Sequence, residues 1–412
     1  MVYVDMAEKS LPHSYFAFSM RQLSVKLFTG ASALLCLMHV TVSARYQGTV
    51  LLQSAAPIVA VRFSPSGRVI AVSEEGSATL WDCDTSRPIW NISLARERRK
   101  NDYTHIKVSA MDLSPDGRMA VVAYLRSGVD RDLIDEKAGD PTKQKDSVWE
   151  THIVLIDTTN GTIKKDIEEV RDTSITAVVF ASSGKHVFVT TATSIARALM
   201  KHQSPTSTTH VLNMDTGQVL RSFKSQGWIT TATLSPDGRL FAAAAQQYVE
   251  GDRSFYELQF YDSDTGKLLH SSDFETTRTA AISFSFNGSI LAVSRSGRDG
   301  LQVDLVPKDG PQKLTHVVTA ARSTESRAVA FVGEQQRLAL AGGRLPIVGF
   351  DDIGTPRFKD QGGVVIVVDQ TTGKKLTSHE FKSFVTSLAL TRDGSKMAVG
   401  MYDGTIAILT PL

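Results

Sequence analysis

The chain has 412 residues, 42% hydrophobic and 21% charged, with 45 Lys+Arg against 43 Asp+Glu and a formal net charge of +2. That balance excludes a strongly basic nucleic-acid binder and a long, disordered acidic chain. Two cysteines exclude a disulfide-stapled scaffold and a cysteine-based zinc cluster.

The first feature in chain order is an uncharged run from Leu27 to Val42 (LFTGASALLCLMHVTV), preceded by Arg21 and Lys26 and followed by Ser43-Ala44. A basic start, a short apolar stretch and a small-residue exit make a secretory signal, with cleavage expected after Ala44. Met20 is a conventional initiator for such a signal, which makes 1–19 an upstream extension. An uncleaved anchor is the alternative reading, although the run is shorter than the roughly 20 residues of a membrane span. Leu35, ahead of Cys36, is not the small residue a lipidated cysteine needs. The expected organisation is therefore an extension and signal over 1–44 and one folded domain over 45–412. The expected location is outside the cytoplasm, periplasmic or secreted, or else anchored to the membrane at the N terminus. Cleavage leaves Cys83 alone, a small buried hydrophobe rather than a reactive thiol.

Beyond the signal, one phrase recurs: alternating apolar residues, a turn ending in Gly, and a second apolar run. It reads Val59 to Gly67 (VAVRFSPSG), Ser109 to Gly117 (SAMDLSPDG), Thr176 to Gly184 (TAVVFASSG) and Thr230 to Gly238 (TATLSPDG with its leading Thr). Ala280 to Gly288 (AAISFSFNG) and Thr386 to Gly394 (TSLALTRDG) continue it, and Ala328 to Phe331 followed by Gly333-Glu334-Gln335 is a weaker copy. Period-two alternation gives strands, and the Pro, Asp and Gly of the turn each favour a tight hairpin. A second phrase closes most units: a strand ending in Asp-x-x-Thr-Gly, as at Asp82 to Ser86, Asp157 to Gly161, Asp262 to Gly266 and Asp369 to Gly373. Asn213 takes the Asp place in the third copy, and Pro307 to Gly310 makes the turn in the fifth.

Four antiparallel strands repeated seven times predict an all-β, seven-bladed β-propeller, at roughly 50 residues per blade against the usual ~40–45. The last copy stops after its third strand, at Thr405 to Thr410. Residues 48–53 (GTVLLQ) are therefore expected to supply the missing outer strand and close the ring, removing an open sheet edge.

On these residues the chain resembles the Trp-Asp (WD) repeat propellers over about 46–412, and the best single match is Ser77 to Asp82 (SATLWD). Ile156, Leu212, Tyr261 and Val368 stand at the Trp position elsewhere, and the family's Gly-His dipeptide is missing, so the repeats are divergent. They are also similar to the lactonase-like and TolB-type propellers, which share the hairpin turn. The resemblance implies a rigid platform for a protein partner.

In such blades the short turns after the first and third strands share one face, and the long connections share the other. The long insertions are 126–147, 193–208, 246–254 and 342–363, with the connection between blades one and two. Insertions on one face mark a binding rim. Its candidate residues are Arg98, Arg99 and Tyr103 in the first interblade connection, Arg131 and Arg197 in two charged loops, and Ile347, Phe350, Asp351, Arg357 and Phe358 in the most apolar loop. No nucleophile elbow, His-Glu-x-x-His helix or phosphate loop occurs. The Asp82/Asp84 and Asp262/Asp264 pairs fall in the recurring turn and read as turn chemistry rather than calcium ligands. No catalytic residue, metal or cofactor is expected, and no nucleic acid, since isolated bases lack an aromatic platform. The expected protein is an exported, monomeric, non-catalytic interaction scaffold without stable membrane insertion once the signal is cleaved. The alternative is a lactonase-like or quinoprotein-like enzyme or small-ligand binder. Its mark would be several ionisable side chains converging in one deep pocket at the channel mouth.

Overall fold

The computed structural model describes residues 49–54, 56–94, 104–128, 148–169, 173–193, 205–249, 253–274, 279–297, 300–309, 315–318, 325–334, 336–350 and 356–409. Every described element is a strand. After β1 (Thr49–Gln53), blade 1 is β2 (Ile58–Phe63), β3 (Val69–Ser73), β4 (Ser77–Asp82) and β5 (Arg87–Ser93). Blade 2 is β6 (Thr104–Leu113), β7 (Met119–Gly128), β8 (Val148–Asp157) and β9 (Thr162–Glu169). Blade 3 is β10 (Thr173–Phe180), β11 (His186–Thr193), β12 (Thr206–Asn213) and β13 (Val219–Gln226). Blade 4 is β14 (Trp228–Leu234), β15 (Leu240–Val249), β16 (Arg253–Asp262) and β17 (Leu268–Phe274). Blade 5 is β18 (Thr279–Phe284), β19 (Ile290–Gly297), β20 (Gly300–Pro307) and β21 (Thr315–Val318). Blade 6 is β22 (Glu325–Phe331) and β23 (Arg337–Gly343), then, after a separate hairpin of β24 (Ile347–Phe350) and β25 (Pro356–Phe358), β26 (Gly363–Asp369) and β27 (Lys375–Phe381). Blade 7 is β28 (Val385–Leu390), β29 (Met397–Met401) and β30 (Thr405–Leu409), and β1 pairs with β30 as its outer strand. These are the seven four-stranded antiparallel blades and the N-terminal closure that the repeats predict.

Burial follows from the alternation. Seven apolar clusters form, one at each junction between neighbouring blades, including blade 7 with blade 1. The second strand of each blade is buried on both faces, as in Val69–Ser73 and Met397–Met401, so it reads as a continuous apolar run rather than an alternating one. Cys83 packs partly buried against the blade 7–blade 1 cluster, and burial pushes its thiol pKa up.

A feature the sequence reading missed is a β-bulge in every innermost strand, at Val59, Ser109, Thr176, Thr230, Ala280, Arg327 and Thr386. A bulge sharpens the local twist and bends the strand. At four of these positions the side-chain hydroxyl (Ser109, Thr176, Thr230 or Thr386) donates to a carbonyl of the second strand. A second recurring device couples neighbours. The outer strand's Trp90, Lys165, Arg221 and His270 each donate to a backbone carbonyl in the next blade's third-to-fourth-strand turn, at Thr158, Asp215, Ser263 and Lys308.

The turns behave as their residues dictate. Asp82 Oδ1 accepts from the Asp84 and Thr85 amides, and Asp262 Oδ1 accepts from the Thr265 amide and hydroxyl. These carboxylates hold their own turns, as read from the repeat. The backbone turns left-handed at the last residue of each Asp-x-x-x-Gly phrase, and in blade 1 that residue is Ser86, at φ 55°. An L side chain there costs about 1 kcal/mol. Ser86→Gly is therefore expected to raise stability by about 1 kcal/mol in urea unfolding; an unchanged or lower midpoint would remove strain as the explanation. In blade 6 the weak copy puts its left-handed glycine, Gly333, two positions earlier than the other first-to-second-strand turns do.

Hydrogen bonds within the turns hold several carboxyls below their ordinary range. For Asp116 the leading donor is the Ser114 hydroxyl, for Asp237 that of Ser235, and for Asp369 the Thr372 amide. Asp393 is held lowest, at about 2, chiefly by the Thr391 hydroxyl and then by Ser395. A depressed folded pKa contributes stability above the unfolded value near ~3.9 and loses it as pH falls through the folded value. The urea midpoint is expected to hold above about pH 4 and to fall steadily toward about pH 2. Asp393→Asn should flatten part of that acid limb, and an unaltered slope would show that this turn does not contribute.

Candidate functional site: channel and rim

Two surfaces are candidates. The first is the axial channel, a cavity of ≈ 540 Å³ lined by the innermost strands of all seven blades. Its ionisable lining among the described residues is Arg62, Asp112 and Arg327. Arg62 Nε lies 3.0 Å from Asp112 Oδ1, and Asp112 Oδ2 accepts the Phe180 amide at 2.8 Å. This one carboxylate thereby ties blades 1, 2 and 3 together. Arg327 replaces the hydroxyl that four other blades place at the bulge. It pairs with Glu325 at 3.2 Å and lies 5.2 Å from the Phe384 ring centroid. The hydroxyls of Ser109, Thr176 and Thr386 are spent on bulge carbonyls. Chemically the described lining offers the Arg62–Asp112 ion pair, Arg327 engaged by Glu325 and Phe384, and hydrogen bonds, without a nucleophile seated on a base. Among the described residues no three His, Cys, Asp or Glu side chains gather as a metal site would require.

The second surface is the rim, where the most apolar insertion builds the β24–β25 hairpin. It stands apart from the four-stranded sheet of blade 6, with Ile347 opposite Phe358 and Phe350 opposite Pro356. Ile347 is 54% exposed, Val348 59% and Phe358 45%. A register shift at Val348 makes it the extra residue of a bulge. Arg357 and Lys359, on either side of Phe358 in the chain, are exposed. Leu345 turns inward and is buried. The hairpin's root is fixed by backbone bonds, Lys359 to Pro346 and Gln361 to Arg344. Asp360 clamps it to the blade 6–blade 7 connection: Oδ1 accepts the Gly362 and Phe384 amides, and Oδ2 accepts the Ser383 hydroxyl.

Of the residues nominated from sequence, the structure brings Ile347, Arg357 and Phe358 together on this arm, and the backbone of Phe350 closes β24. Arg98, Arg99, Tyr103, Arg131, Arg197 and Asp351 lie outside the described residues, as does the signal segment. The residues nominated from sequence left out Val348, Asp360 and Arg327, although Val348 stands in the apolar insertion. Arg327 was findable, because an arginine stands where aligned copies carry Ser109, Thr176, Thr230 and Thr386. His152, on β8, is a further polar residue that was not nominated from sequence. It is buried, its Nδ1 lies 2.8 Å from Asp166 Oδ1, and its ring stacks on Tyr124.

Fold and repeats together define a WD-type β-propeller. The family model for the WD domain, G-beta repeat, matches residues 45–82, the copy that carries Trp81-Asp82. The family model described as outer membrane protein assembly factor BamB matches residues 137–402, well over half of the chain, and the chain belongs to that propeller family. No curated protein matches it.

Proposed function

We propose that this protein is an exported, non-catalytic propeller that serves as a protein-interaction scaffold, holding partners on the rim that carries the long insertions. The observation that carries this reading is the β24–β25 arm, with three large apolar side chains about half exposed on a hairpin that the blade 6 sheet does not use. A protein gains nothing in stability by presenting such residues to water, and a rigid, exposed apolar cluster suits a partner. The family description, an outer membrane protein assembly factor, fits an envelope setting and suggests that partners belong to such an assembly. The leader before Ala44 fits export to that setting. The channel supports the same reading, because its acid is already closed on Arg62.

Pro346 and Lys359 are hydrogen-bonded neighbours, so Ile347–Phe358 can be replaced by a Gly-Gly link without touching the blade. That variant, and deletion of 129–146, which leaves β7 and β8 whole, are expected to fold with wild-type melting behaviour and to lose co-purifying proteins from the envelope fraction. Equal recovery of every partner by both variants would show that the rim is not the docking face. N-terminal sequencing of the exported protein should find a start at Arg45, and a retained Leu27–Val42 would favour the anchored form.

A further inference from the structure

The arm's charges are one-sided where the structure describes them. Arg344, Arg357 and Lys359 are exposed on the arm and at its root, and Lys382 is exposed in the connection that Asp360 grips. Among the described residues none of these four cations is in an ion pair. The acid nearest in sequence, Asp360, has both oxygens committed to three donors at the root. The remaining acids of the insertion, Asp351 and Asp352, belong to the segment between the two strands. An apolar anchor surface with exposed cations at its margin is complementary to a chain that carries apolar anchors between carboxylates.

We propose that the β24–β25 arm takes an acidic protein segment, its apolar residues seated on Ile347, Val348 and Phe358 and its carboxylates facing Arg357, Lys359 and Arg344. This rests on the rim reading above and specifies its partner. An anionic bilayer is the other surface such chemistry attracts, but the family description, an assembly factor, favours a protein partner.

The test uses the full chain and three labelled peptides of one length and one pattern of Leu and Phe, with Glu, Gln or Lys at the intervening positions. Fluorescence anisotropy should show the Glu peptide binding about tenfold tighter than the Gln peptide, with the Lys peptide weakest and with the advantage shrinking as salt rises. Arg357→Glu with Lys359→Glu should weaken the Glu peptide about tenfold and leave the Gln peptide unchanged. Val348→Ser with Phe358→Ser should weaken both peptides while the melting temperature stays at the wild-type value. Several outcomes overturn the proposal: no binding of the Glu peptide, equal binding of Glu and Gln peptides, no response to charge reversal, or arm-dependent sedimentation with phosphatidylglycerol vesicles that the Glu peptide does not compete away. If charge reversal is silent while the Ser variants still abolish capture of natural partners, the acidic assignment alone falls. If the Ser variants change neither peptide binding nor capture, the rim reading falls with it.

Discussion

Gly404→Ala is expected to open the ring. Gly404 sits at φ +84° in the turn before β30, and a Cβ built there would lie 2.0 Å from the Ser54 carbonyl oxygen and 2.9 Å from that of Ala56. Those atoms belong to the segment that leads from β1 into blade 1, and the Ser54 amide donates back to the Gly404 carbonyl at 3.1 Å. The substitution therefore sets a left-handed L residue, costing about 1–2 kcal/mol, against a backbone that must also withdraw. Relief comes by displacing β1, a strand of five residues whose pairing with β30 already contains a register shift. Loss on the order of 3 kcal/mol is expected, together with faster proteolysis in 45–55 and concentration-dependent association through the bared β30 edge. Gly67→Ala is the internal control. Its φ is +77° but nothing lies within 4 Å of the added carbon, so it should show only the conformational cost of about 1 kcal/mol. Matching urea midpoints for the two variants would mean that the closure contact contributes nothing.

Asp112→Ala should have the next largest effect. Its carboxylate receives the Arg62 guanidinium from blade 1 and the Phe180 amide from blade 3, so removal uncouples three consecutive blades and leaves a partly buried donor without its acceptor. The Arg62 side chain is 38% exposed, so the ion pair itself is screened and contributes little, about 0–1 kcal/mol. The larger share belongs to the unsatisfied Phe180 amide and the lost charged acceptor, about 2 kcal/mol. Asp112→Asn retains an acceptor oxygen and should recover most of the loss, whereas Arg62→Ala should cost less than Asp112→Ala. Should Arg62→Ala prove as damaging as Asp112→Ala, the ion pair rather than the amide bond would be what holds these blades.

The two effects separate what repeats announce from what they hide. Blade number, strand order, the turn chemistry and the closing role of 48–53 are all written locally. Alternation, Pro-Asp-Gly turns and Asp-x-x-Thr-Gly turns act over a few residues, and each copy confirms the others. Candidate rim residues were legible to the extent that insertions break the period, and Ile347, Arg357 and Phe358 do share one hairpin. The sequence alone could not show that Ile347 and Val348, neighbours in the chain, are both exposed. That depends on a bulge, and a one-residue shift exchanges the faces of a strand.

Sequence by itself determined the architecture, because a propeller's instructions are short-range and sevenfold redundant. Tertiary structure alone decided the couplings: Asp112 reaching across blades, Asp360 rooting the arm, and Gly404 lying under the Ser54 carbonyl. Each joins different structural units, and their contact distances exist only once neighbouring blades have packed or, for Gly404, once the ring has closed.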